Sequence, residues 1–155
     1  MKSIASLLAA VSAGAVAAFA PKDIPRLIEQ ADRVEIVESD FSKGDRVVRR
    51  SEISPKAAAE LGAILAESAP TDGSCKCAGN PVIEIRKNGA PTKTITIHHG
   101  LTIRMRGAKL NAKVGSPERL AEWLANNGFH STKNELGKTE KSTGKNSEPQ
   151  AARGK

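Results

Sequence analysis

Hydrophobic positions along the chain alternate between two periods. Ile24, Leu27, Ile28 and Ala31 fall at i, i+3, i+4 and i+7, the stripe of a short helix that Asp23 is placed to cap. From Arg33 to Ser39 the period drops to two, with Val34 and Ile36 on one face. The stretch FSKGD (residues 41–45) carries turn residues, so Arg46–Ile53 returns as an antiparallel partner. Ser54-Pro55 then opens a second helix. Serine is a good N-cap, and proline at the first helical position gives up an N–H that has no partner there anyway. Ala57, Leu61, Ile64 and Leu65 line one side, and the helix should stop by Ala69-Pro70.

A turn-rich loop, TDGSCKCAGNP (residues 71–81), precedes a strand over Val82–Arg86, and Asn88-Gly89 with Pro91 makes the next connection. In TKTITIHHGLTIRMR (residues 92–106), Ile95, Ile97, Leu101, Ile103 and Met105 share one parity, while Thr94, Thr96, Thr102, Arg104 and Arg106 share the other. A two-residue turn at His99-Gly100 would set Ile97 against Thr102, so a three-residue turn or a strand bent at Gly100 is expected. Either way His99 takes core parity and His98 solvent parity. The last helix starts at Ser116-Pro117. It buries Leu120, Trp123 and Leu124, and it stops at Asn127-Gly128, with Phe129 folding back onto it.

The order α-β-β-α-β-β-(β)-α implies an α+β fold: an antiparallel sheet of about four or five strands with two or three helices packed on one face. The two ends lie outside it. Met1-Lys2, an apolar run over Ile4–Ala17 and the small-x-small triplet Ala18-Phe19-Ala20 have the three-part form of a cleavable export signal over residues 1–20. The run is shorter and richer in alanine than a membrane span, which needs about 20 strongly apolar residues. Residues 21–130 then form one domain. Residues 131–155 have Leu136 as their single large apolar residue, and such a segment buries too little surface to offset its ordering entropy. A disordered tail is the expectation there.

The formal charge of +7 is spread along the chain. Residues 21–130 hold 17 basic and 14 acidic side chains, mostly alternating in sign, and residues 131–155 hold 6 and 3. Nucleic-acid binding needs a basic face with stacking aromatics. With Phe41, Trp123 and Phe129 as the aromatics beyond the signal, none is expected. The basic tail suits weak contact with anionic surfaces.

Candidate chemistry gathers between Ser74 and Gly100, where Cys75, Cys77, His98 and His99 lie. Cys75 and Cys77 can form a small-ring disulfide in an oxidising compartment, or act as a soft thiolate pair for zinc or copper. Neighbouring residues of a flat strand point to opposite faces, so His98 and His99 do not form a pair toward one ion. If the cysteine loop covers the face of Ile95 and Ile97, then Cys75, Cys77 and His99 converge, with His98, Asp72 or water as a fourth ligand. Paired carboxylates, a phosphate loop and a Ser/His/Asp set are all lacking. These features favour an exported, periplasmic or secreted, binding module without catalytic activity, its partner a protein or another envelope component. The alternatives are a zinc- or copper-binding periplasmic protein using Cys75, Cys77 and a strand histidine, and a thiol–disulfide exchange protein.

Overall fold

The computed structural model describes residues 20–73, 76–106 and 111–143. The segment read as an export signal, apart from Ala20, lies outside the described residues, as do Cys75 and the end of the basic tail.

Among the described residues seven strands form a single sheet: β1 (Arg33–Asp40), β2 (Arg46–Ile53), β3 (Ala69–Thr71), β4 (Val82–Lys87), β5 (Ala90–His98), β6 (Thr102–Met105) and β7 (Asn111–Lys113). They lie in the order β2-β1-β4-β5-β6-β7-β3, and every neighbouring pair is antiparallel. The α+β class and the antiparallel sheet follow the alternation of the sequence. The strand count does not, because β3 and β7 are three residues each and too short to display a period. They exist because they pair with each other across the sheet's far end.

Register explains the core. Val34 faces Ile53 and Ile85, Ile36 faces Ile83, Ile83 faces Ile95, and Ile95 and Ile97 face Met105 and Ile103. Antiparallel partners share a face, so these residues make one apolar surface. Helices α1 (Ile24–Glu29), α2 (Pro55–Ala66) and α3 (Pro117–Asn126) bury Ile24, Leu61, Ile64, Leu65, Leu120 and Leu124 in the same cluster. At full burial each large aliphatic side chain contributes roughly 1.5–3 kcal/mol of transfer free energy, so this one layer carries the fold.

The helix ends follow the sequence unevenly. The Ser54 hydroxyl accepts from the Ala57 N–H, as an N-cap does. Ser116 also starts a helix, but its hydroxyl donates to Glu67 instead. Asp23 does not cap α1, and its carboxylate accepts from the Ala20 N–H. The end of α3 forms the expected reversal. The Phe129 N–H donates to the Leu124 carbonyl at 2.8 Å, and the Phe129 ring is 0% exposed. Arg49 of β2 lies over that ring, 4.9 Å from its centre.

Two expectations change here. A disordered segment beginning at Ser131 is not what forms. Residues Ser131–Thr143 make a further helix, α4. Its first turn is anchored: the Ser131 N–H donates to Glu38, Thr132 is 0% exposed, and Leu136 and Thr132 sit against the Gly100 backbone. A segment with little apolar content is ordered because its neighbours supply the contacts that it cannot make with itself. Second, the parity of His98 and His99 does not translate into the expected exposure. β5 and β6 join through a three-residue connection, one of the two expected forms, with His98 opposite Thr102. The chain leaves the strand at His98, and His99 takes φ +53°, which ends the alternation one residue early.

Candidate functional site

The cysteine loop covers the sheet face opposite the helices. That face carries Thr96 and His98 of β5 and Arg104 of β6. Asn80 ties the loop down. Its N–H donates to the Ile97 carbonyl at 2.6 Å, and the Ile97 N–H donates to the Pro81 carbonyl at 3.1 Å. The Asn80 side chain accepts from the Ser39 N–H at 3.0 Å and donates to the Ser39 carbonyl at 2.9 Å. One asparagine thus bridges the end of β1 to β5, and the chain continues through a cis Asn80–Pro81 bond. Gly79 lies directly on the sheet, at φ +79°. A methyl group there would sit 2.9 Å from both His98 Nε2 and Thr96 Cβ, so the backbone approaches as closely as a glycine permits.

Cys77 is thereby delivered to His98. The sulfur lies 3.0 Å from His98 Nδ1, and Thr96 Oγ1 lies 2.7 Å from His98 Nε2. The threonine hydroxyl is also 3.3 Å from the Arg104 carbonyl. The sulfur is held in a disulfide and carries no hydrogen, so it can only accept: Nδ1–H donates to it, and the threonine hydroxyl donates to the Nε2 lone pair. His98 is 1% exposed. Burial, with a smaller contribution from the Arg104 charge and then His99, pushes its pKa below the ordinary histidine value. A neutral imidazole held at both nitrogens beside a cysteine sulfur is the result. Next to it, Arg104 Nε donates to Asn111, whose amide donates to the Gly73 carbonyl, closing this end of the face.

The histidine at the cysteine loop is therefore His98 and not His99. The His99 side chain is 54% exposed, with Nδ1 3.7 Å from a carboxylate oxygen of Glu135 on α4. His99 does not lie at Cys77, and Cys75, the other expected member of that set, lies outside the described residues. Among the described residues no group of three or more His, Cys, Asp or Glu side chains is arranged to hold a metal ion. The Cys77–His98 contact is itself direct. A tetrahedral zinc bound to both atoms would hold sulfur and nitrogen about 3.6 Å apart.

The other end of the same face holds an ion network that alternation alone marks only as surface charge. Glu35 of β1 stands opposite Glu84 and Glu52, three carboxylates in a row. Like charges directly opposite repel, and arginines offset them here. Arg50 reaches Glu35 at 2.7 Å and Glu84 at 2.9 Å, Arg86 reaches Glu84 at 2.6 Å, and Arg33 reaches Glu35 at 3.3 Å. Hydrogen bonding from Arg50 holds the Glu84 carboxyl below the usual carboxylate range, and Arg50 is raised in turn by Glu84. The sequence signal is partial: Glu35 alternates with Val34 and Ile36, and Glu84 and Arg86 alternate with Ile83 and Ile85, so each lies on the polar face of its own strand.

The sheet's two edges differ. β3 ends one side with three residues, including Pro70, a blunted edge. β2 ends the other side with eight residues and no proline, and Arg46 to Arg50 are all exposed. Val47 and Val48 are 49% and 54% exposed, and Phe41 at the hairpin end is 45% exposed, the exposed large hydrophobic residues of the described chain. At the opposite end of β2, an open cleft of about 750 Å³ is floored by Pro25, Ile28, Val34, Ile53 and Ala58. No described helix is long and apolar enough to cross a membrane. Comparison with protein-family models, curated proteins and solved structures finds no match to this chain.

Proposed function

We propose that this chain is a small exported binding module that works without catalysis and offers the outer edge of β2 to a protein partner. One observation carries the reading: an eight-residue, proline-free edge strand, bulged at Val48, with two exposed valines. Such an edge is a template for another strand, and proteins normally blunt it, as β3 does on the far side. The export half rests on the pattern over Met1–Ala20. Site-specific photocrosslinking in a secreting host tests the reading, with the probe at Val47 or Val48 and a control at exposed Lys56 on α2. A discrete adduct confined to the β2 positions is the expected result. Adducts spread equally over all three positions, or a chain retained inside the cell with residues 1–20 intact, would sink it.

A second reading is thiol–disulfide exchange, and the Cys77–His98 contact favours it. Cys77 is disulfide-bonded, and Cys75 is the chain's other cysteine. An external dithiol would pass two electrons to a Cys75–Cys77 bond, closing its own disulfide and leaving two reduced sulfurs here. His98 Nδ1–H would donate to the departing Cys77 thiolate. Equilibration in dithiol buffers, followed by intact mass, tests this. A pair that stays oxidised under strong reductant rules exchange out. The same mass measurement tests the zinc or copper reading: stoichiometric metal that disappears in Cys77→Ser would support it.

A further inference from the structure

We infer that the exported chain begins at Ala18, its signal removed by hydrolysis of the Ala17–Ala18 bond. This rests on the export half of the reading above and names the site of processing. A signal-removing peptidase asks for small residues one and three positions before the cut. Two triplets qualify: Ala18-Phe19-Ala20 and, three residues earlier, Ala15-Val16-Ala17. The residue after the cut separates them. After Ala20 it is Pro21, whose nitrogen carries no hydrogen and whose ring stands beside the scissile carbonyl. A peptidase that holds an extended chain by main-chain hydrogen bonds loses a donor there and meets added bulk. After Ala17 the next residue is Ala18, with an N–H and a small side chain. Ile4–Gly14 still supplies an apolar core within the usual range of about 7–15 residues.

The fold gives an independent reason, because it uses Ala20. That residue is extended, as the residue before a proline is. Its carbonyl accepts from the Asp23 N–H at 2.9 Å, and its N–H donates to the Asp23 carboxylate at 3.3 Å. The two bonds start a single 3₁₀ turn over Pro21–Asp23, which runs directly into α1. A cut after Ala20 would remove both bonds and turn the Pro21 nitrogen into a charged secondary amine. Pro21 is buried and opens the helical run, where a positive charge is disfavoured by burial and by the backbone dipoles. Exposed Asp23 offsets only part of that charge. A cut after Ala17 places the new amine three residues before Pro21 and leaves the turn intact. The step consumes one water: its hydroxyl goes to the Ala17 carbonyl carbon and its other hydrogen to the Ala18 nitrogen. The host's signal-removing peptidase supplies the catalysis.

The test expresses the full chain in a secreting host and reads the N-terminus of the exported protein by intact mass and terminal sequencing. A start at Ala18 is expected. Ala17→Leu should leave the precursor unprocessed, because a large residue then stands just before the cut, while Ala20→Leu should be processed normally. Ala17→Leu combined with Pro21→Ala should restore processing, now after Ala20, because the proline is what closes the second triplet. These readouts act on the chain before it folds, so a loss of stability does not mimic them. An exported wild-type chain that starts at Pro21 overturns the inference. Loss of processing in Ala20→Leu with Ala17→Leu unaffected does the same, as does a combined variant that stays unprocessed. An exported chain that keeps Met1 overturns the inference and leaves export standing. A chain retained inside the cell with residues 1–20 intact defeats the export reading and the inference with it.

Discussion

Replacing Gly79 by alanine tests the close approach of the cysteine loop to the sheet. Two costs add. At φ +79° an L-residue is strained by about 1–2 kcal/mol. The new methyl group also meets His98 Nε2 and Thr96 Cβ at 2.9 Å each, and His98 Cε1 at 3.0 Å. Neither neighbour yields cheaply. Thr96 sits on an interior strand between Val82 and Arg104, and the His98 ring is engaged at both nitrogens. Overpacking of this kind costs roughly 1–3 kcal/mol, so the total is about 2–5 kcal/mol. Gly89→Ala is the control. Gly89 has nearly the same dihedral, φ +78°, with nothing within 4 Å of the added carbon, so it isolates the backbone term. Urea unfolding of both variants should show Gly79→Ala less stable than Gly89→Ala by about 1–3 kcal/mol, with unchanged m-values. If the loop lifts to relieve the overlap, His98 becomes wetter and its titration, followed by NMR, moves back up toward the ordinary value. Equal losses in the two variants, within about 0.5 kcal/mol, together with an unmoved His98 titration, would refute the packing of Gly79 on His98.

The remaining predictions concern charge, caps and the core. Because the folded pKa of His98 is depressed, the unfolded chain binds a proton below about pH 6.5 that the native chain does not. Stability is therefore full above that pH and falls as pH drops toward the native value. In His98→Gln, pH-dependent unfolding curves should lose this part of the slope. Glu84 is depressed by hydrogen bonding from Arg50, so its contribution is present above about pH 4.5 and is lost as pH falls through the lower native value. Arg50→Met should raise the Glu84 midpoint measured by carbon-detected NMR titration. Ser54→Ala should cost about 1 kcal/mol by denaturant unfolding, while Ser116→Ala should stay within about 0.5 kcal/mol, because only Ser54 accepts from a helix N–H. Phe129→Ala should cost about 3–5 kcal/mol, since the ring is fully buried and also supports Arg49.

Short-range features were legible wherever the physics is local. The Ser54 cap, the Phe129 reversal and the isoleucine face of β4, β5 and β6 follow from nearest neighbours and period. That no two-residue turn follows His98 was legible too, because it would have set Ile97 against Thr102, although a strand bent at Gly100 stayed equally open. The ion network was half legible. Alternation places Glu35, Glu84 and Arg86 on the polar faces of their own strands, but only the strand order brings them together and sets Arg50 of β2 beside them. The site near Cys77 was the hardest to read. Parity correctly separated His98 from the isoleucine face, and then equated that separation with exposure. His98 is buried because the Asn80 loop folds over the second face, an event between residues far apart in the chain.

By itself, then, the sequence determined the periods, caps, turns and the apolar layer, because each depends on residues a few positions apart. It also carried the grammar of an export signal. Only the tertiary structure decided which face the cysteine loop covers, that residues 131–143 form a docked helix, and that β2 is left as the long open edge. Those outcomes depend on contacts between elements whose pairing no local pattern encodes. A strand's period shows that it has two faces, and only its neighbours determine what covers each one.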